Sequence, residues 1–311
     1  MTRKKEERKV KNAKRKIWLT AGIYPDLSRL CHRSGNVWRF PYITGKYGGA
    51  AFVLIYLVFL VLLGLPIMVM EFAVGRASQA SVAMSFDRLK PLGTKWHWYK
   101  WFGMAGNYLL MMFYTTIGGW ILLYVFKMAG GEFEGKNADE IAGVFGNLME
   151  KPGLMTICMI LVVAVCFGIV CMGLQKGVEK ITKKMMLLLL ALMVILAIRS
   201  ATLPGAGEGI RFYLLPDFKK AAESGLKEVI FAAMGQSFFT LSLGIGAIAI
   251  FGSYIDKKRR LTGEAVCVTV LDTCVALIAG MIIFPACFAF GVQPDSGPSL
   301  ILLHCRIFSI P

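Results

Sequence analysis

Charge is scarce in this sequence. Asp, Glu, Lys and Arg make up 17% of 311 residues, too little for the surface of a soluble domain of this length. Histidine is scarcer still, with three in the chain, and none stands at ligand spacing from the cysteines, which removes the ordinary zinc sites. The eight cysteines form no C-x-x-C pair and lie mostly inside apolar runs, where thiols face lipid or core. A Walker sequence, a nucleophile elbow and a G-x-G-x-x-G after a strand are all absent, so no enzyme class is indicated. Nor does a compact apolar run with a small-residue cleavage site follow the basic start, and no cleaved leader is expected.

What the chain has instead is hydrophobicity: 56% apolar residues and a mean hydropathy of +0.61. A helix needs about 20 apolar residues to cross roughly 30 Å of hydrocarbon. Runs of that kind occur at Ala50–Val74, Phe102–Phe126, Leu154–Leu174, Val229–Phe251 and Ala265–Phe290, with a shorter one at Met185–Ile198 that needs flanking residues to span. A seventh, around Ile17–Tyr42, is interrupted by charge. The net charge of +16 does not point to nucleic acid, because the basic residues gather between spans. The N-terminal arm, Arg76–Lys100, Gln175–Lys184 and Asp256–Arg260 are rich in Lys and Arg, whereas Gly130–Lys151 is acidic. This alternation predicts a multi-pass protein of the inner (plasma) membrane with a cytoplasmic N-terminus. The stretch Ser200–Lys227, with its Pro and Gly, reads as a partly ordered outside loop.

Polar residues inside apolar spans are costly, and each is a candidate for function. Glu71 in GLPIMVMEFAVGR reads either as an interfacial acid paired with Arg76 or as a buried carboxylate bracing broken backbone. Asp272 in VTVLDTCVALIAG is deeper. In MGQSFFTLSLGIGAIAIFGSY, Gln236, Ser237, Thr240 and Ser242 precede Gly244 and Gly246, which weakens the helix and permits a break. Such a break survives at membrane depth only where it lines a cavity or binds something, and its Ser, Thr and carbonyl oxygens suit a small hard cation. Small residues for helix packing remain a second account of Gly246 and Ala247. Tyr114, in MMFYTTIGGW, reads by itself as a packed phenol.

At GNVWRFPYITGKYGGAAF, GLPIMVMEFAVGR and GQSFFTLSLGIGAI, extended by FYTTIGGW, TLPGAGEGIRFYLLPDF and LDTCVALIAGMIIFP in order, the sequence resembles the neurotransmitter:sodium symporter family in its bacterial amino-acid-transporter branch. The resemblance implies an all-α polytopic fold of inverted repeats with broken first and sixth helices. Residues 17–200 would form the first five-helix repeat after a basic arm at 1–16. Residues 201–225 would be an extracellular loop, and 226–311 the start of the second repeat. It also implies Na⁺ as the co-transported ion, no organic cofactor, and an amino-acid or amine-like substrate. The partners would be the lipid bilayer and no nucleic acid, with self-association left open. By resemblance, Asn36, Thr240, Ser242 and Asp272 would serve Na⁺, while Gly35, Tyr114, Phe239, Ser242 and Ile245 would meet the substrate. Glu71 would brace the first-helix break, and Gln236 matches the glutamine near the chloride position of animal members. Asp272 stands where many members carry asparagine, which implies that this carboxylate replaces chloride.

Two stretches depart from the family. Ile23–Ser34 reads IYPDLSRLCHRS where the family has an apolar GFIL stretch, small residues and G-L-G-N, and a one-base shift in reading frame restores that pattern. Ile301–Pro311, ILLHCRIFSIP, likewise yields the family's continuation in another frame. The expectation is a frame-damaged chain truncated to about seven spans. Asp26, Arg29, His32 and Arg33 would then lie at membrane depth, at about 2.5–3.5 kcal/mol for each Asp or Arg. Such a product is expected not to transport. The alternative role is that of a non-transporting membrane fragment that associates with a full-length relative.

Overall fold

The computed structural model describes Asn36, residues 39–131, 152–171, 180–255 and 259–291, and Gln293. The expected frame damage at 23–34, Gly35, most of the acidic loop 130–151 and the segment after residue 293 lie outside these. Among the described residues all regular structure is helical. A short helix α1 (Phe40–Lys46) leads through glycines at positive φ, Gly48 and Gly49, into α2 (Ala50–Phe59). A π-turn at Leu60–Gly64 then joins α2 to α3 (Leu65–Ser78). Pro66 accounts for that turn: it has no N–H for the Leu62 carbonyl and its ring crowds it, so one wider turn keeps the rod continuous.

Next come α4 (Val82–Leu89), a 3₁₀ turn (Trp96–Trp98), α5 (Tyr99–Ala129), α6 (Pro152–Cys171) and α7 (Lys180–Ala201). The chain continues with α8 (Ala206–Leu214), α9 (Phe218–Glu223), α10 (Leu226–Leu241), α11 (Ala247–Gly252) and α12 (Leu261–Phe290). Five described stretches are long and apolar enough to cross a membrane: Ala50–Ser78, Trp96–Ala129, Pro152–Ile169, Lys184–Ala201 and Leu261–Phe290. The short run at Met185–Ile198 is extended by its flanks, as it must be to span. The run at Val229–Phe251 is no single helix. It is α10 and α11 separated by Ser242–Gly246, where Ser242, Gly244 and Gly246 have φ of 53°, 85° and 73°.

The region 200–227 differs from its reading as a partly ordered loop, since α8 and α9 occupy much of it. The reason is tertiary. α8 lies along α12, with Tyr213 stacked on Phe284 at 5.0 Å and its hydroxyl donating to the Leu277 carbonyl at 3.2 Å. Gly209 is what permits the approach, because a Cβ there would stand 2.5 Å from the Phe284 carbonyl oxygen. Pro285, inside α12, leaves the Met281 carbonyl without its helical donor. One residue on, Ser200 Oγ donates to the Ile282 carbonyl at 2.6 Å.

Two backbone-close contacts hold α11 to α3. A Cβ on Gly75 would collide with the Ala249 carbonyl, and one on Gly252 with the backbone of Phe72, which is the small-residue packing that helices use where water supplies no drive. The α5–α6 pair stands to one side and meets the remaining described helices chiefly through α4 and the side chains around the sixth-span break. Val82 of α4 is seated against Gly246, where a Cβ would lie 2.5 Å from it; Gly244 has open space at the same position. Both residues adopt left-handed backbone. Gly244→Ala should therefore cost about 1–2 kcal/mol for conformation alone, and Gly246→Ala about 1 kcal/mol more for crowding. Thermal melts of the purified variants should rank accordingly, and equal losses would show that Val82 does not seat on Gly246.

A buried oxygen cluster beside an apolar cavity

Three residues from three separate parts of the chain converge at one point. Asn36 and Thr240, near the end of α10, meet Asp272 of α12, and all three are buried. The Asn36 amide Nδ2 donates to Asp272 Oδ1 at 2.7 Å. The Thr240 hydroxyl lies 2.8 Å from Asp272 Oδ2 and is also in short contact with Asn36 Oδ1. A hydroxyl has one proton, so at any moment it serves Asn36 Oδ1 or Asp272 Oδ2 but not both. The oxygens gathered here are hard donors of the kind alkali and alkaline-earth ions take. Among the described residues no group of three or more His, Cys, Asp or Glu side chains could hold a transition metal.

One turn of α10 links this cluster to a cavity of about 300 Å³ lined by Arg39, Leu110, Tyr114, Phe238, Phe239, Ser242 and Ile245, among others. That size is at the small end for a ligand pocket. Four residues singled out in the sequence, Tyr114, Phe239, Ser242 and Ile245, share its wall, and Gly35 lies outside the described residues. Arg39, Leu110 and Phe238 were not anticipated. The Arg39 guanidinium lies over the Phe239 ring, 3.9 Å from its centroid. Ser242 is at the wall and at the break, with left-handed backbone, and no described contact joins its side chain to the oxygen cluster.

Glu71 sits beside the break and bonds its backbone. Its Oε1 accepts the Gly244 N–H at 2.6 Å, while Arg76 donates to the Arg259 carbonyl at 2.9 Å. The carboxylate braces broken backbone, and the break is that of the sixth span; the first-helix backbone assigned to it by resemblance lies outside the described residues. Its Oε2 is buried without a partner among the described residues. Two further groups missed in the sequence hold the same stretch. Tyr99 Oη donates to the Gly244 carbonyl at 2.6 Å, and Asn107 Nδ2 to the Ile245 carbonyl at 2.8 Å. Asn107 carried a readable signal, an amide within an apolar span. Tyr99 sits in the run WHWYKW and reads as one more interfacial aromatic. Gln236 is fully buried, and neither amide atom has a partner among the described residues.

The model of the sodium:neurotransmitter symporter family matches residues 31–140 and 132–293. The chain is 38% identical to an uncharacterised sodium-dependent transporter of Bacillus subtilis, YhdH, over 86% of its own length and 58% of that protein. It is 28% identical to the sodium-dependent serotonin transporter of Drosophila melanogaster, over 80% of its length and 46% of that protein. Among solved structures it resembles MhsT in complex with L-phenylalanine, with a TM-score of 0.82 and 41% identity over 93% of this chain and 65% of the other. It thus spans roughly half to three fifths of the length of these two relatives.

The Glu71 brace is open to a direct check. Glu71→Gln keeps an acceptor for the Gly244 N–H, whereas Glu71→Leu removes the hydrogen bond, at about 0.5–1.5 kcal/mol. The glutamine variant should melt close to the parent and the leucine variant clearly below it. Identical melts for the two would show that the hydrogen bond does not hold the break.

Proposed function

Because the chain belongs to the sodium:neurotransmitter symporter family, we propose that its site serves Na⁺-coupled binding and transport of an amino acid with an apolar side chain. The observation that carries this reading is the convergence of buried hard oxygens at Asn36, Thr240 and Asp272, one helical turn from the cavity. Na⁺ would be held by those side chains. The substrate carboxylate would meet the Tyr114 hydroxyl and the broken backbone near Ser242. Leu110, Phe238, Phe239 and Ile245 would enclose its side chain, and their apolar character argues against charged or strongly polar amino acids. The L-phenylalanine in complex with MhsT is an amino acid of the same kind. The protein is a multi-pass membrane protein, and we place it in the plasma membrane with its N-terminus in the cytoplasm, on the positive-inside pattern.

Binding and translocation are separable. In vesicles or nanodiscs containing the 311-residue chain, binding of a radiolabelled apolar amino acid should require Na⁺ and should not be supported by K⁺. Uptake into proteoliposomes under a Na⁺ gradient then distinguishes a transporter from a non-transporting membrane fragment that keeps the site. Ion-independent binding would overturn the Na⁺ assignment.

Asp272 supplies a negative charge beside the cation, and this reading makes chloride unnecessary. Gln236, buried and without a partner among the described residues, and the Tyr56 hydroxyl, beside Thr240 and Thr273, are the donors an anion would meet if that charge were removed. Asp272→Asn should lower apparent Na⁺ affinity tenfold or more, about 1.4 kcal/mol, and chloride should restore part of the binding. Substrate binding by Asp272→Asn that is indifferent to chloride would count against the substitution of charge for anion.

A further inference from the structure

The cavity lies between α5 and the sixth span, with Arg39 of its wall resting on Phe239. Toward α4, α5 makes further contacts to the break. The aromatic ring of Phe86 packs on Tyr99 with centroids 4.7 Å apart, Tyr99 Oη donates to the Gly244 carbonyl, and Asn107 donates to the Ile245 carbonyl while also bonding the Gly103 carbonyl of its own helix at 2.7 Å. Tyr99, Gly103 and Asn107 recur at every fourth residue and so share one face of α5. Farther along the same helix, about 5 and about 10 Å beyond Asn107, stand Leu110 and Tyr114 of the cavity wall.

The three brackets on the break therefore belong to two different packed groups. Glu71, on α3, travels with α11, because α3 and α11 are locked backbone to backbone at Gly75 and Gly252. Tyr99 and Asn107 belong to the α5–α6 pair, whose own packing against the other described helices is sparse apart from α4. Any movement that opens the cavity between α5 and α10 can keep the Glu71 bond but must stretch the other two. Both carbonyls would then be left bare at membrane depth, which is costly, unless water enters. Resting on the symporter reading above, we propose that Tyr99 and Asn107 are positioning residues that form a latch: they hold the sixth-span break in the geometry seen here and release it when α5 and α10 move apart to open the cavity toward α4. The latch also bears on the ion, since the break begins two residues after Thr240.

Hydrogen–deuterium exchange of the full chain in nanodiscs, with and without Na⁺, tests this. Tyr99→Phe removes only the hydroxyl, Asn107→Leu only the amide, and Tyr108→Phe, on an exposed tyrosine of the same helix, is the control. Each latch variant should speed exchange of the Ser242–Ala247 amides roughly three- to tenfold, the size of one lost hydrogen bond, with α12 amides around 268–283 and the control unchanged. Half-saturating Na⁺, read from protection of the same segment, should rise by a similar factor while full protection is still reached. Exchange at the break that does not change, or that rises equally in α12, overturns the latch. If the parent chain shows no response to Na⁺ but Tyr99→Phe still loosens the break, the symporter reading fails and the latch stands. If the parent responds to Na⁺ and the break is indifferent to both variants, the latch fails and the symporter reading stands.

Discussion

Backbone that leaves the helix inside a membrane must find hydrogen bonds from somewhere other than water. In this protein that demand falls on Ser242–Gly246, and much of the surrounding packing answers it. The Gly244 N–H goes to Glu71 and its carbonyl to Tyr99, while the Ile245 carbonyl goes to Asn107. Two glycines and one serine take the left-handed turns that the geometry requires. Small residues at Gly75, Gly246 and Gly252 let α3 and α4 come close enough for those bonds to form.

The oxygen cluster has a different character from the brackets. The brackets tie named donors to the backbone of the break, so they stabilise one geometry. At Asn36, Thr240 and Asp272 one hydroxyl proton faces two acceptors, so the same groups have more than one arrangement, and removing one partner of a buried charged contact is expensive. A brace fixed in one geometry beside a cluster that can rearrange lets a fold be rigid around a position and still respond to what enters it.

Much of this was legible in the sequence wherever a polar residue interrupted an apolar run. Glu71, Thr240 and Asp272 stood out by cost alone, and the glycines flagged the break. What could not be read was partnership. Nothing local to Glu71 distinguishes the Gly244 amide from the Arg76 side chain five residues on, and the choice is made by α11 packing on α3. Tyr99 was hidden by its neighbours, since a tyrosine among tryptophans at a span's edge looks interfacial. The helix α8 was hidden by Gly207 and Gly209, which argue for a loop locally; Gly209 is there because α12 passes within contact of its Cα. Tertiary demand outweighed propensity at that point.

The order of residues from the last turn of α10 into the break has a mechanical consequence. Phe239 carries the contact with Arg39, Thr240 belongs to the oxygen cluster, Ser242 begins the break, and Gly244 is held by Tyr99. An ion that draws Thr240 toward Asn36 and Asp272 sets the rotation of the last turn of α10. That rotation would fix where the Phe239 ring stands in the cavity wall. The break would follow it, because the Ser242 N–H bonds the Phe239 carbonyl at 3.1 Å and the Leu243 N–H the Phe238 carbonyl at 3.0 Å. Two contacts about the same short segment would thus depend on a single bound cation without any long-range wire. The coupling is as strong as the turn is stiff, and the stiffness comes from Glu71 on one side of the break and the buried face of α10, with Val229, Ala233 and Gln236, on the other.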